Sequence, residues 1–107
     1  MNQTTAKDIF EQVSKTKQIK LKLSVLNKAI AYAHIRAEWS LAEPETHLEL
    51  DIPRRIAHNA LIDSINILAR NMHQNKEDIQ WYKQLKDNRI AIAEFACWVH
   101  NFLSLSA

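Results

Sequence analysis

The chain has 107 residues, 47% of them hydrophobic and 24% charged, with no Gly, two Pro and a net charge of +2. That length holds one domain, 1–107, with a core of its own. The missing Gly excludes a dinucleotide fingerprint, a phosphate loop and a type I′ hairpin, since each needs left-handed backbone or a close approach to phosphate. No apolar run reaches the roughly 18 residues of a membrane span, so no membrane partner is expected. Cys97 is the one cysteine. With no signal-peptide pattern at the N-terminus, the expected compartment is a reducing cytoplasm.

The pattern along the chain is helical. Thr5 and Asp8 resemble a capping box ahead of Ile9, Phe10 and Val13, which predicts a first helix over 5–14. Ile19, Leu23, Leu26, Ile30, Ala33 and Ala37 recur at three- and four-residue spacing, which predicts a second helix over 16–42 with those residues inward. Ile19, Leu21, Leu23 and Val25 also alternate as a strand would, but the Ala-rich continuation favours helix. Residues 43–52, bracketed by Pro44 and Pro53, read as a connector, with Asp51 capping a third helix over 53–74.

That third helix turns Ala57, Leu61, Ile65, Leu68 and Met72 inward, with Ile56, Ala60 and Ile67 widening the face. A polar turn and a short helical piece fill 75–86. Asp87 then caps a last helix over 88–104, apolar on most sides. A helix of that kind belongs at the centre of a bundle or at an interface. The expected fold is all-α, an irregular four- to five-helix bundle with a central C-terminal helix.

Charge is arranged in blocks: +5 over residues 1–37, −5 over 38–53 and +2 over 54–107. Lys15, Lys17, Lys20, Lys22 and Lys28 fall without an intervening acid, and Lys17, Lys20 and Lys28 share roughly one helix side. With Arg54 and Arg55 they are the candidate anion or nucleic-acid contacts, although no aromatic is interleaved among the lysines. Arg54 and His58 evoke the arginine–histidine pair of small helical ribonucleases. Their spacing is shorter than those enzymes use, so no catalytic role carries over.

Asn59, Asp63, Asn66, Arg70 and His73 form a polar stripe on the third helix. Asn and Asp are mediocre helix formers, so the stripe is a candidate ligand site as well as a solvated face with an Asn66–Arg70 contact. His47, Glu49 and Asp51 would share one side of an extended connector. Nothing in the sequence makes them converge, so neither metal nor cofactor is expected. His34 and His100 read as core or boundary residues, and Cys97, late in the most apolar helix, as a buried structural thiol. Of the Trp81–Tyr82 pair, one ring is expected to pack inward while the other keeps its polar tip in water.

The segments AEWS (37–40), HNALIDSINILARNM (58–72), EDIQW (77–81) and DNRIAIAEFACWVH (87–100) together resemble a small bacterial family of unknown function with an HN-x-x-ID-x-x-NIL-x-R-x-M block. The resemblance covers roughly residues 28–103. It implies a bacterial single-domain protein and assigns no activity, cofactor or site residue. No nucleophile–base pair, phosphate loop or metal spacing stands out. The expected function is therefore a non-catalytic cytoplasmic interaction module with a protein partner or a second copy of itself. The alternatives are nucleic-acid or regulatory binding through the basic face, and a small-ligand binder or enzyme at the polar stripe.

Overall fold

The computed structural model describes residues 3–106, with side chains over 5–104. Five helices follow one another: α1 (Gln3–Ser14), α2 (Ile19–Leu41), α3 (Pro44–Gln74), α4 (Gln80–Leu85) and α5 (Arg89–Ser106). No strand occurs among the described residues, and none of their helices is long and apolar enough to cross a membrane. The fold is the all-α bundle expected, with α5 central: it packs against α1, α2 and α4, while α2 also packs along α3. The core is built on Ile9, Val13, Val25, Leu61, Leu68, Trp81, Leu85, Phe95 and Val99, all fully buried.

The largest departure from the sequence reading concerns residues 43–52, which are helix and not connector. Glu43 caps α3 with extended backbone (φ −63°, ψ 151°), and Pro44 takes the first turn, where its missing N–H breaks no bond. Thr46 donates from both its backbone N–H (2.9 Å) and its hydroxyl (2.8 Å) to the Glu43 carbonyl. Pro53 therefore lies inside a 31-residue helix. It removes the hydrogen bond to the Glu49 carbonyl, but Asp51 straps the helix across the gap by accepting from Arg54 Nη2 (2.6 Å) and Arg55 Nη2 (2.8 Å). At about 1.5 Å rise per residue α3 is ~46 Å long, close to the molecule's 48 Å long axis.

Three smaller corrections follow from packing. First, the buried row of α2 is Val25, Ala29 and Tyr32. Ile19 and Leu23 are about half exposed, Ala37 is exposed, and Leu26, Ile30 and Ala33 flank the core. Because α2 packs between α3 and α5, it turns a rotated face inward. Second, α1 already runs from Gln3, so Thr5 lies inside it and not at its cap, although Ile9 and Val13 are buried as expected. Third, the side chain that caps α5 belongs to Asn88, whose Oδ1 accepts from the Ala91 N–H at 3.0 Å. Asp87 instead sits at φ 56° in the preceding turn, closed by the Asn88 N–H to the Leu85 carbonyl (3.1 Å).

A Gly-free chain must place other residues at left-handed positions. Lys76 (φ 62°) follows α3 where glycine is usual. There the Glu77 N–H bonds the Met72 carbonyl (2.8 Å) and the Lys76 N–H bonds the His73 carbonyl (3.1 Å), a complete Schellman closure. Glu77 then ties this corner to the α1–α2 loop. Its carboxylate accepts from the Thr16 hydroxyl (2.9 Å), the Lys17 N–H (3.1 Å) and Gln18 Nε2 (3.2 Å). Desolvation pushes its pKa up, but those three donors together outweigh it and hold the carboxyl below its usual range.

Candidate functional site

α3 and α5 both pack on α2 and leave a cleft of about 760 Å³ between them. The volume is that of a small-molecule site. Tyr32, almost fully buried, and Arg36 contribute from α2. From α3 come Asp51, Arg54, Arg55, His58 and Asn59, which share one face because they recur at three- and four-residue intervals. α5 adds Arg89, Ile90, Ala93, Glu94 and Cys97 on the same periodicity. Four guanidinium groups thus meet two carboxylates around one hollow.

The arginines differ in what already holds them. Arg54 and Arg55 both bond Asp51. The Arg55 hydrogen bond, then the Arg54 one, lowers the Asp51 pKa against a smaller opposing effect of desolvation, so Asp51 stays ionised and orients both guanidiniums. Arg54 also lies over the Trp39 ring, 4.8 Å from its centroid. Trp39 in turn stacks on His47 at 4.8 Å. The side chains of Arg36 and Arg89 have no hydrogen bond or ion pair among the described residues. Two buried atoms of lining residues, Arg54 Nε and Glu94 Oε2, have no partner there either. His58 packs edge-on to Tyr32 at 5.2 Å.

The structure divides the residues singled out by sequence. Arg54 and Arg55 line the cleft. Lys17 precedes α2, and Lys20 and Lys28 are exposed on it, Lys28 reaching Ser24 Oγ at 3.4 Å. Lys20 and Lys28 lie about 24 and about 12 Å along α2 from Arg36, and none of the three lysines lines the arginine cleft. All five stripe residues are exposed. Asn59 lines the cleft, and Asn66 lines an adjoining hollow while accepting the Tyr82 hydroxyl at 2.9 Å. The Tyr82 tip therefore finds Asn66, while Trp81 is the ring that packs fully inward. Asp63, Arg70 and His73 face solvent along the outer side of α3.

Cys97 is exposed at the cleft and not buried, because the buried row of α5 is Ala91, Ile92, Phe95, Ala96 and Val99. His34 is likewise exposed and pairs with Glu38 at 2.9 Å, while His100 is half-buried. His47 and Glu49 cannot point together, since two residues apart on a helix lie on opposite sides. Among the described residues no three His, Cys, Asp or Glu side chains form a group able to hold a metal ion.

Sequence reasoning missed Arg36, Arg89 and Glu94. The legible signal was the spacing of Ile90, Glu94 and Cys97 down one side of the last helix. Its meaning depends on what α2 and α3 place opposite. Compared with known proteins, the chain matches no family model, no curated protein and no solved structure, so the chemistry of the cleft is argued from its own residues.

Proposed function

We propose that the protein is a cytoplasmic binding module, without a reaction of its own, whose ligand is an anion held in the cleft between α3 and α5. The observation that carries this reading is the convergence of Arg36, Arg54, Arg55 and Arg89 on one hollow, with Arg36 and Arg89 unpaired among the described residues. Guanidinium forks match phosphate and carboxylate oxygens in pairs, and walls that thin the solvent strengthen the attraction. Cys97, a free exposed thiol, suits a reducing compartment.

The test is calorimetric titration with inorganic pyrophosphate at low and physiological salt. Binding that weakens with salt, and that falls at least tenfold in the Arg36→Ala/Arg89→Ala double variant, supports the reading. Loss of binding in Lys20→Ala/Lys28→Ala, with the arginine variant unaffected, would move the function to the basic face of α2.

A second reading, self-association, rests on the outer face of α3. The stripe from His73 back to Asn59 is polar, but the same side continues toward the N-terminus as Ile56, Ile52 and Leu48, which are 63%, 64% and 82% exposed. A solvated helix keeps its outer face polar throughout. A single apolar row is self-complementary across a two-fold axis, so its occupant is a second copy of the chain. Light scattering after size exclusion checks this: a dimer that Ile52→Glu converts to monomer supports it, and a wild-type monomer at high concentration overturns it.

A further inference from the structure

The cleft does not end at the arginines. It continues into a second hollow of about 480 Å³, and His58, Asn59 and Arg89 line both. The chemistry changes across that junction. The first hollow holds four guanidiniums. The second shares Arg89, is lined by the opposite charges of Lys86 and Asp87, and adds the neutral amides of Asn66 and Asn88 to that of Asn59, with the phenol of Tyr82, over an apolar floor that includes the buried Ile65, Leu85 and Ile92.

We infer that the ligand is a nucleotide, its phosphates at the arginine end and its base in the amide-lined hollow; this rests on the anion-binding reading and names the class of anion. A bare inorganic anion would leave the amides and the apolar floor of the second hollow unused. A phospholipid would find an apolar floor but would leave the spare donors of the three amides unused. A nucleobase matches both features, because its faces are apolar and its edge presents donors and acceptors in alternation. Amide side chains carry both kinds of group and pair with base edges. Tyr82 offers a ring to stack on, an interaction that tolerates any base.

The amides have capacity left. Asn59 has no hydrogen-bond partner among the described residues. Asn66 uses its oxygen for Tyr82, and Asn88 uses its oxygen for the Ala91 N–H, so both keep their Nδ2 donors. At the junction α5 begins with Arg89, which brings the positive end of an 18-residue helix to the place where phosphate enters. Glu94 is an unexpected residue beside an anion, but its unpartnered Oε2 is an acceptor that a ribose hydroxyl satisfies. The recognition is by side chains, which accommodates the absence of every Gly-dependent phosphate loop in this sequence.

The experiment is a calorimetric comparison of ADP, GDP, CDP and UDP with pyrophosphate on the intact chain. At least one nucleoside diphosphate is expected to bind tenfold or more tighter than pyrophosphate. Asn59→Ala, which breaks no hydrogen bond within the described protein, is expected to cut that ratio severalfold while circular dichroism and the thermal midpoint match wild type. Equal affinity for pyrophosphate and all four nucleotides overturns the nucleotide assignment and leaves the anion reading standing. Failure of both to bind overturns both. A ratio unchanged in Asn59→Ala and also in Asn66→Ala overturns the placement of the base.

Discussion

Between Leu61 and Met72, α3 buries Leu61, Ile65, Leu68 and Met72; between Leu48 and Ile56 the same helix leaves Leu48, Ile52 and Ile56 facing solvent. Both rows have helical spacing and both are made of large aliphatic residues. The difference lies in the neighbours. The C-terminal half of α3 belongs to the core that α1, α2, α4 and α5 build around Trp81 and Phe95. The N-terminal half has α2 beside it and the arginine cleft on another flank. Periodicity thus says that a row is suited to burial; whether anything covers it is decided elsewhere in the chain.

The strongest way to break this contrast is truncation at matched positions. Leu68→Ala removes a fully buried aliphatic side chain and should cost about 2–5 kcal/mol. Ile52→Ala, at an exposed site, should stay within about 0.5 kcal/mol in the monomer. Equal shifts of the denaturant midpoint would mean that the two halves of α3 are equally covered in solution.

Next in size is Pro53→Ala. It restores an N–H to the Glu49 carbonyl, and the net gain is roughly 2 kcal/mol: the helix-interior penalty of about 3, less the unfolded-chain restriction of up to about 1 that proline supplies. Amide hydrogen exchange should show the added protection in residues 49–57 and little change near Trp81. If protection rises uniformly, the arm and the core unfold as one unit.

At the covered end, Glu77→Gln should destabilise by about 1–2 kcal/mol, because a carboxylate accepting three hydrogen bonds becomes a neutral amide. The pH dependence has a fixed sign. Glu77 is more acidic in the folded chain than its ordinary value of 4.5. Its contribution is therefore complete above that value and is lost as pH falls through the lowered one. Acid titrations of wild type and Glu77→Gln should converge in stability at the low end, and parallel curves would remove Glu77 from the account. The smallest effect is expected at Lys76, where glycine relieves a left-handed strain of about 1 kcal/mol. Thermal midpoints should rise by a few degrees in Lys76→Gly, and less in Asp87→Gly because Asp tolerates that region better.

Much of this was legible in residues whose signal is local. Ile9 and Val13 in α1, and Leu61, Ile65, Leu68 and Met72 in α3, are buried as their spacing predicts. The short helical piece that forms α4, with one ring of the Trp81–Tyr82 pair inward, also follows from the pattern; that the inward ring is Trp81 does not. Pro44 was legible as a boundary and was assigned to the wrong side of it: the same restriction that ends α2 starts α3, nine residues ahead of the expected start at Pro53. The candidate site was half legible. Arg54, Arg55, Asn59 and Asn66 stood out, while Arg36, Arg89 and Glu94 looked like ordinary surface charges.

The sequence alone determined that the fold is all-α, that the chain lacks every Gly-dependent motif, and where most of its helices begin and end. These properties depend on residues within a few positions of one another, through propensity, periodicity and proline geometry. Only the tertiary structure decided which face of α2 is inward, that Cys97 is exposed, that Pro53 is carried inside a helix strapped by Asp51, and that four arginines from three helices meet at one cleft. Those outcomes depend on how α3 and α5 sit against α2. Burial and electrostatics at a point are set by everything that packs around it, however far away in the chain it was encoded.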